Sequence, residues 1–449
     1  MASFENENAP LKAMRVAWPA VLESLFLALA GIIDTLMVSR LGDFAVSAIG
    51  LTNQPKFFFL TVFFGISIAV SALVARRKGQ NDQTSANETL VTALALSLIF
   101  CVILTVLALV LAEPILRFAG SNDDTHRYST LYFRIIMGGM IFNVIPIMIN
   151  AAQRGSGNTK IAFTTNLVST IVNICFNFLL IEGRYGFPRL GIAGAAIATV
   201  LGTLVACIMS IMSLFKKTSF VRVPYIIENK IKANLHTVRS IYDLALSIML
   251  ENMAMRVGFM TTAFMAARLG TSVFATHNVG MNLLSLGFAF ADGMQTAAVA
   301  LTGEALGCED KVLAKRYGKI CQQIGFIISV VLAVFLFFAG EAIFKLHFDN
   351  AQMIAQGVMI SRFIMVIVLA QISQIIYGGC LRAAGDVKYT LFASLISVAI
   401  VRSILTIVLV SVFHLGLVGI WLGILSDQAS RLVFMSIRYR QGKWVNIKI

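Results

Sequence analysis

The chain has 449 residues, 58% of them hydrophobic and only 13% charged, with a mean hydropathy of +0.84. Soluble domains carry roughly 25% charge, so lipid must be the solvent, where helices or closed barrels satisfy the backbone. The net charge of +14 is spread over many short loops, which argues against a nucleic-acid partner.

Apolar runs of about 20 residues, rather than alternating runs of about 10, select helices. The polar, acid-bearing start argues against a cleavable signal peptide. Twelve spans are predicted, at 16–39, 53–75, 90–112, 130–152, 161–183, 192–215, 241–267, 276–301, 319–340, 353–377, 389–413 and 415–436. Turn signals at 77–82, 121–124 and 307–311 separate some of them.

Bases gather on alternate loops: Arg76, Arg77 and Lys78; Arg154 and Lys160; Lys216 to Arg239; Lys311 to Lys319; Arg382 and Lys388; and the tail from Arg438 to Lys448. The opposite loops hold Asp43, Glu113, Asp123, Asp124, Glu182 and Asp349. The excess of bases places both termini in the cytoplasm, in a multi-pass protein of the cell (inner or plasma) membrane. Six scattered cysteines form no CxxC or Cys/His cluster and read as reduced packing residues.

The chain repeats itself at an offset of 228. Glu23 matches Glu251, Arg40-Leu41-Gly42 matches Arg268-Leu269-Gly270, Gly65 matches Gly293, and Asp82 matches Asp310. RGSGNTK (154–160) matches RAAGDVK (382–388) at the same offset, and LGIAG (190–194) matches LGLVG (415–419) at 225. Each copy has six spans, an even number, so both enter the membrane from the same side. The expected fold is an all-α integral membrane protein of twelve transmembrane helices in two parallel six-helix repeats. Residues 1–215 form the first lobe, 216–240 a cytoplasmic linker read as a connector, and 241–449 the second lobe.

Charges inside spans are costly and mark function or buried partners. Glu23, Asp34, Glu251, Arg256, Asp292 and Arg402 qualify. Asp34, flanked by apolar residues, suits a proton or small cation, or a structural hydrogen bond. Asn173 and Asn177, four apart, share one helix face, and Thr199 lies among small residues that allow close packing. Carbonyl and hydroxyl oxygens around one carboxylate suit a hard monovalent cation. Glu251 has a candidate partner in Arg256 or on another helix. GSGNTK (155–160) lacks phosphate-loop spacing and reads as a tight turn.

Several motifs together resemble the multidrug and toxic compound extrusion (MATE) family over nearly the whole chain. They are DTLMVSRLG (34–42), GAAIAT (194–199), AARLG (266–270), ATHN (275–278) and CLRAAGD (380–386). The resemblance implies a monomeric antiporter without a cofactor, driven by Na⁺ or H⁺ and exporting drugs or other amphipathic organic compounds by alternating access. It carries the cation site onto Asp34, Asn173, Asn177 and Thr199, with Na⁺ a candidate ion at Asp34. It makes Glu251, Arg256 and Gln371 a second coupling or substrate site. Two positions depart toward less negative charge: Asn177 stands where the family often has Asp, and Gln371 where one branch has an acid. Rival readings are a lipid-linked oligosaccharide flippase of the same superfamily, or a non-transporting membrane receptor or enzyme. The first needs extra spans and a strongly cationic cavity; the second needs a clustered catalytic or metal motif. No enzyme activity is expected.

Overall fold

The computed structural model describes residues 9–39, 41–121 and 123–447. The polar start through residue 8, Arg40 of the repeat, Asn122 of its turn and Lys448 of the tail lie outside the described residues. Within them all regular structure is helical. The first copy runs α1 (Ala9–Ser39), α2 (Asp43–Gly79), α3 (Gln83–Val110), the short α4 (Ala112–Phe118), α5 (Asp123–Gly138), α6 (Met140–Gly155), α7 (Thr159–Leu180) and α8 (Ile192–Ser213). The short α9 (Val223–Glu228) precedes α10 (Leu235–Arg268), α11 (Thr271–Gly307), α12 (Lys311–His347), α13 (Ala351–Ala383), α14 (Val387–Ser394), α15 (Ser403–Ser411) and α16 (Gly416–Gln441).

Ten stretches among the described residues are long and apolar enough to cross a membrane, and the pair α5–α6 makes an eleventh. α10 is equally long. Glu251, Asn252 and Arg256 midway along it dilute its hydropathy, and it completes the twelve predicted spans. The fourth span is not straight. α5 and α6 meet at 47° across Gly138 and Gly139, a glycine pair where a helix bends readily. Gly139 also lies against Val200, 2.7 Å from where its Cβ would be.

Residues Leu25–Ala245 form one compact unit. Leu246–Ile449 form the other, with the N-terminal segment through Ser24. The first has a core of small and branched residues, with Ala45, Ala48, Ile181, Ile192 and Ala196 buried together. The second centres on Trp421, Ile360, Ile364, Ile367 and Ile424. The 216–240 link is fastened to α3. The Gln83 amide donates to the Phe220 carbonyl (2.8 Å), Arg222 N–H donates to the Asn87 side chain (2.9 Å), and Asn234 N–H donates to the Thr92 hydroxyl (3.2 Å). The connector is thus an ordered strap over polar residues at the start of a span.

The repeat is visible in the backbone. Gly42 and Gly270 have φ of 107° and 113°, and Gly157 and Gly385 have 82° and 88°. Side-chain-bearing residues rarely adopt such angles, which accounts for glycine in both copies. The 155–160 segment is the tight turn expected. Asp82 and Asp310 cap the third helix of their copies, accepting from Ser85 N–H (2.9 Å) and Leu313 N–H (2.8 Å).

One register change was invisible in the sequence. Between α14 and α15 the chain takes a π-helical turn at Leu395–Arg402, which accommodates one extra residue. The close approaches of α7 to α8 and of α15 to α16 record it. Gly194 lies against Leu180, and Gly419 lies against Leu409. The glycines differ by 225, as the sequence indicated, but the leucines differ by 229 rather than 228.

Gly194 leaves no room for growth: its Cβ would lie 2.6 Å from the Leu180 carbonyl oxygen, a backbone atom that cannot swing aside. Gly194→Leu is expected to cost about 1–3 kcal/mol through overpacking, read as a lower thermal unfolding midpoint in detergent. Gly50→Ala meets nothing within 4 Å and should leave the midpoint in place. Equal midpoints for wild type and Gly194→Leu would contradict the close α7–α8 contact.

Candidate cation site and buried charge network

Asp34 on α1, Asn173 and Asn177 on α7, and Thr199 on α8 come together inside the Leu25–Ala245 unit. The spacing of four puts both asparagines on one face of α7. Small residues of α8 bring it close. A Cβ at Gly202 would lie 2.8 Å from the Ser169 carbonyl and 3.0 Å from Asn173 Cβ, and Ser169 donates back to the Gly202 carbonyl at 2.8 Å.

The Asn177 amide donates to Asp34 Oδ1 at 2.8 Å. The Asn173 amide fits its neighbours with nitrogen toward Asp34, 2.8 Å from Oδ1 and 3.3 Å from Oδ2. Its oxygen then faces the Thr199 hydroxyl at 3.2 Å and the Thr199 N–H at 3.1 Å. Asn177 Oδ1 is buried and accepts no hydrogen bond. A cavity of about 80 Å³, lined by Met37, Asn177, Phe178, Ile181 and Glu182, adjoins it. Tyr132 is buried beside Thr199, within electrostatic range of Asp34. Lys56 on α2 is also within range of the carboxylate.

The chemistry of the site follows from this donor set. A bare carboxylate at membrane depth is costly, and two amide donors offset part of that cost. An orphaned amide oxygen and a hydroxyl beside the carboxylate are hard, mostly neutral ligands, suited to a monovalent cation or, at the carboxylate, a proton. No group of three His, Cys, Asp or Glu that could hold a metal ion occurs among the described residues.

The second copy answers this site with the opposite charge. Thr262 stands in the register of Asp34. Because of the π-helical turn, Arg402 stands in the register of Asn173 and Thr406 in that of Asn177. Arg402 Nη2 donates to Thr262 Oγ1 at 3.1 Å, as Asn173 donates to Asp34. Its Nη1 is 3.4 Å from Asp427 Oδ2, and its guanidinium lies 4.5 Å from the Phe259 ring centre. Asp427, in the register of Gly202, also pairs with Arg431 at 2.9 Å and accepts from the Gln428 amide at 3.2 Å. Arg402 and Asp427 are both 0% exposed. One carboxylate serves two guanidiniums, so the network is net positive.

The other predicted residues do not join into one site. Glu251 pairs with Arg382 at 2.7 Å and accepts from Ser394 (2.8 Å) and Thr390 (3.1 Å). Its ion-pair partner therefore lies on α13, a second helix, at a position the sequence had placed in a loop. Arg382 also donates to Gln295 at 2.6 Å. Arg256 is exposed on α10. Gln371 is fully buried with neither amide atom hydrogen bonded, its oxygen 2.4 Å from where a Cβ on Gly287 would lie. Glu23 is buried.

Lys56, Asp427 and Arg431 also carry charge inside the spans and were not among the sequence candidates. All three interrupt apolar runs, so the signal was available. Lys56 lies near the start of the predicted span 53–75 and Arg431 near the end of 415–436, but Asp427 lies near the middle of that span.

A sequence profile of the MatE family matches residues 19–179 and 247–408, one block in each repeat. A probable multidrug resistance protein NorM of Thermotoga maritima is 25% identical over 96% of this chain and 92% of its own. An uncharacterized transporter, YisQ, of Bacillus subtilis is 22% identical over 96% and 94%. Among solved structures, an outward-facing multidrug resistance MATE family transporter of the MOP superfamily superposes with a TM-score of 0.90 at 21% identity, covering 97% of both chains. A MOP superfamily transporter from Pyrococcus furiosus superposes with a TM-score of 0.89 at 21% identity, covering 97% and 96%. At this identity the structural likeness speaks for the fold.

Proposed function

Since the chain belongs to the MatE family, whose members are membrane transporters and not enzymes, we propose that it is a cation-coupled antiporter exporting amphipathic organic compounds. The observation that carries this reading is the Asp34 carboxylate held by the Asn173 and Asn177 amides beside an unpartnered amide oxygen. The multidrug resistance relatives support the substrate class.

In this reading Na⁺ or H⁺ binds at Asp34 and neutralises it. The cation favours one of two conformers only through differential affinity, and a few kcal/mol suffices to invert their populations. Lobes 1–215 and 241–449, linked by 216–240, alternate access to the compound, with both termini cytoplasmic. The protein works as a monomer. Lys56 competes with the cation for Asp34 and so promotes its release. Glu251, tied to Arg382, Thr390 and Ser394, serves the scaffold of its unit, while Gln371 and Arg256 remain the candidates for contact with the exported compound.

The test is transport of a fluorescent organic cation in proteoliposomes under a Na⁺ gradient alone, then a proton gradient alone. Uphill export is expected under one of them and none without a gradient. Failure under both would overturn cation coupling.

A further inference from the structure

At the basic end of the second unit a cavity of about 820 Å³ opens between α12, α13 and α16. Three bases line it: Lys315 and Lys319 on α12, and Arg440 at the end of α16. No carboxylate lines it, and none of the three forms an ion pair among the described residues. Gln322, one turn below Lys319, offers a buried amide oxygen without a hydrogen-bond partner. Farther along the same face, Phe326 and Ile327 are 53% and 63% exposed. The lining is therefore charged at one end and apolar at the other.

Its wall is built. Tyr439 donates to the Lys315 carbonyl at 3.0 Å, stacks on Trp444 at 5.1 Å and packs against Tyr377 at 4.9 Å. Gly318 makes room for it, since a Cβ there would lie 2.2 Å from the Tyr439 hydroxyl. Aromatic rings of this kind favour the membrane–water boundary.

We propose that this cavity binds one anionic phospholipid, with its phosphate among Lys315, Lys319 and Arg440 and an acyl chain along Phe326 and Ile327. Seven residues of helix separate Lys319 from Phe326, about 10 Å, the scale on which a phospholipid passes from headgroup to chain. Basic pockets between spans take anionic headgroups by the same electrostatics. A free phosphate would satisfy the bases but leave the apolar half of the cavity unused. The proposal does not depend on the transport reading.

The experiment measures lipid retention on the purified full chain by native mass spectrometry, titrating phosphatidylglycerol against phosphatidylcholine. Wild type is expected to prefer phosphatidylglycerol, and K315Q/K319Q/R440Q to lose at least about tenfold of that preference. K216Q/K230Q/K232Q, which removes three exposed bases elsewhere, should retain it. If the triple variant does not fold, Lys319→Gln alone should lose about threefold or more. Equal retention of the two lipids by wild type, unchanged retention in K315Q/K319Q/R440Q and Lys319→Gln, or equal loss in the control would each overturn the proposal. Displacement of phosphatidylglycerol by millimolar inorganic phosphate would identify a free-anion site instead and also overturn it.

Discussion

Asp34→Asn, reconstituted in proteoliposomes, is expected to lose cation-driven export by at least about a hundredfold, the effect of removing a coupling of a few kcal/mol. The substitution preserves size and leaves an oxygen to accept from Asn177, now 2.8 Å away. What it removes is the negative charge. An amide at position 34 holds the site permanently in its neutral, loaded form, so binding and release no longer differ in charge. Downhill movement of the compound should persist, because the fold survives. Asn177→Ala and Thr199→Ala remove only neutral ligands and should cost less, with a higher cation concentration restoring transport. Full coupling in Asp34→Asn would sink the assignment.

The second large effect lies in the other unit. Asp427→Asn is expected to destabilise the protein by about 3–5 kcal/mol, the usual cost of leaving a buried charge unpaired. Asp427 is the carboxylate shared by Arg402 and Arg431, and neutralising it leaves two guanidiniums facing each other. Arg402→Met has the opposite arithmetic. It leaves Asp427 and Arg431 as a balanced pair and fills space beside Phe259, so it should cost much less. Thermal unfolding in detergent would order the variants as wild type, then Arg402→Met, then Asp427→Asn. The reverse order of the two variants would show that Asp427 is not the counter-charge of this network.

The two copies therefore use one position in opposite ways. Around Asp34 the first copy presents a carboxylate to the Asn173 and Asn177 amides, which in the proposed reading share it with an incoming cation. Around Thr262 the second copy supplies its own cation, Arg402, covalently attached and held by Asp427. A guanidinium cannot leave, so this half of the pseudo-symmetric pair is suited to holding structure rather than exchanging ions.

Much of this molecule was legible in the residues alone. Apolar runs, loop charges and a constant offset are local or additive properties, so the membrane class, twelve spans, the parallel repeat and the α7 face of Asn173 and Asn177 followed directly. Partner choice among buried charges was not legible, because it depends on how each helix is rotated and how closely its neighbours approach. Glu251 had a nearby candidate in Arg256, yet its ion pair is with Arg382, 131 residues away. Lys56, Asp427 and Arg431 fall inside predicted spans without a partner evident in the chain, and packing shows two of them buried and the third within range of Asp34. The register of Arg402 was hidden for a different reason. A π-helical turn adds a residue without interrupting hydropathy, so simple alignment set Asn173 against Val401, and only tertiary packing of α15 on α16 moved it to Arg402. The sequence by itself determined what must lie in lipid and how often it repeats; the tertiary structure decided which charges meet there, because desolvated charges accept only partners whose geometry satisfies them.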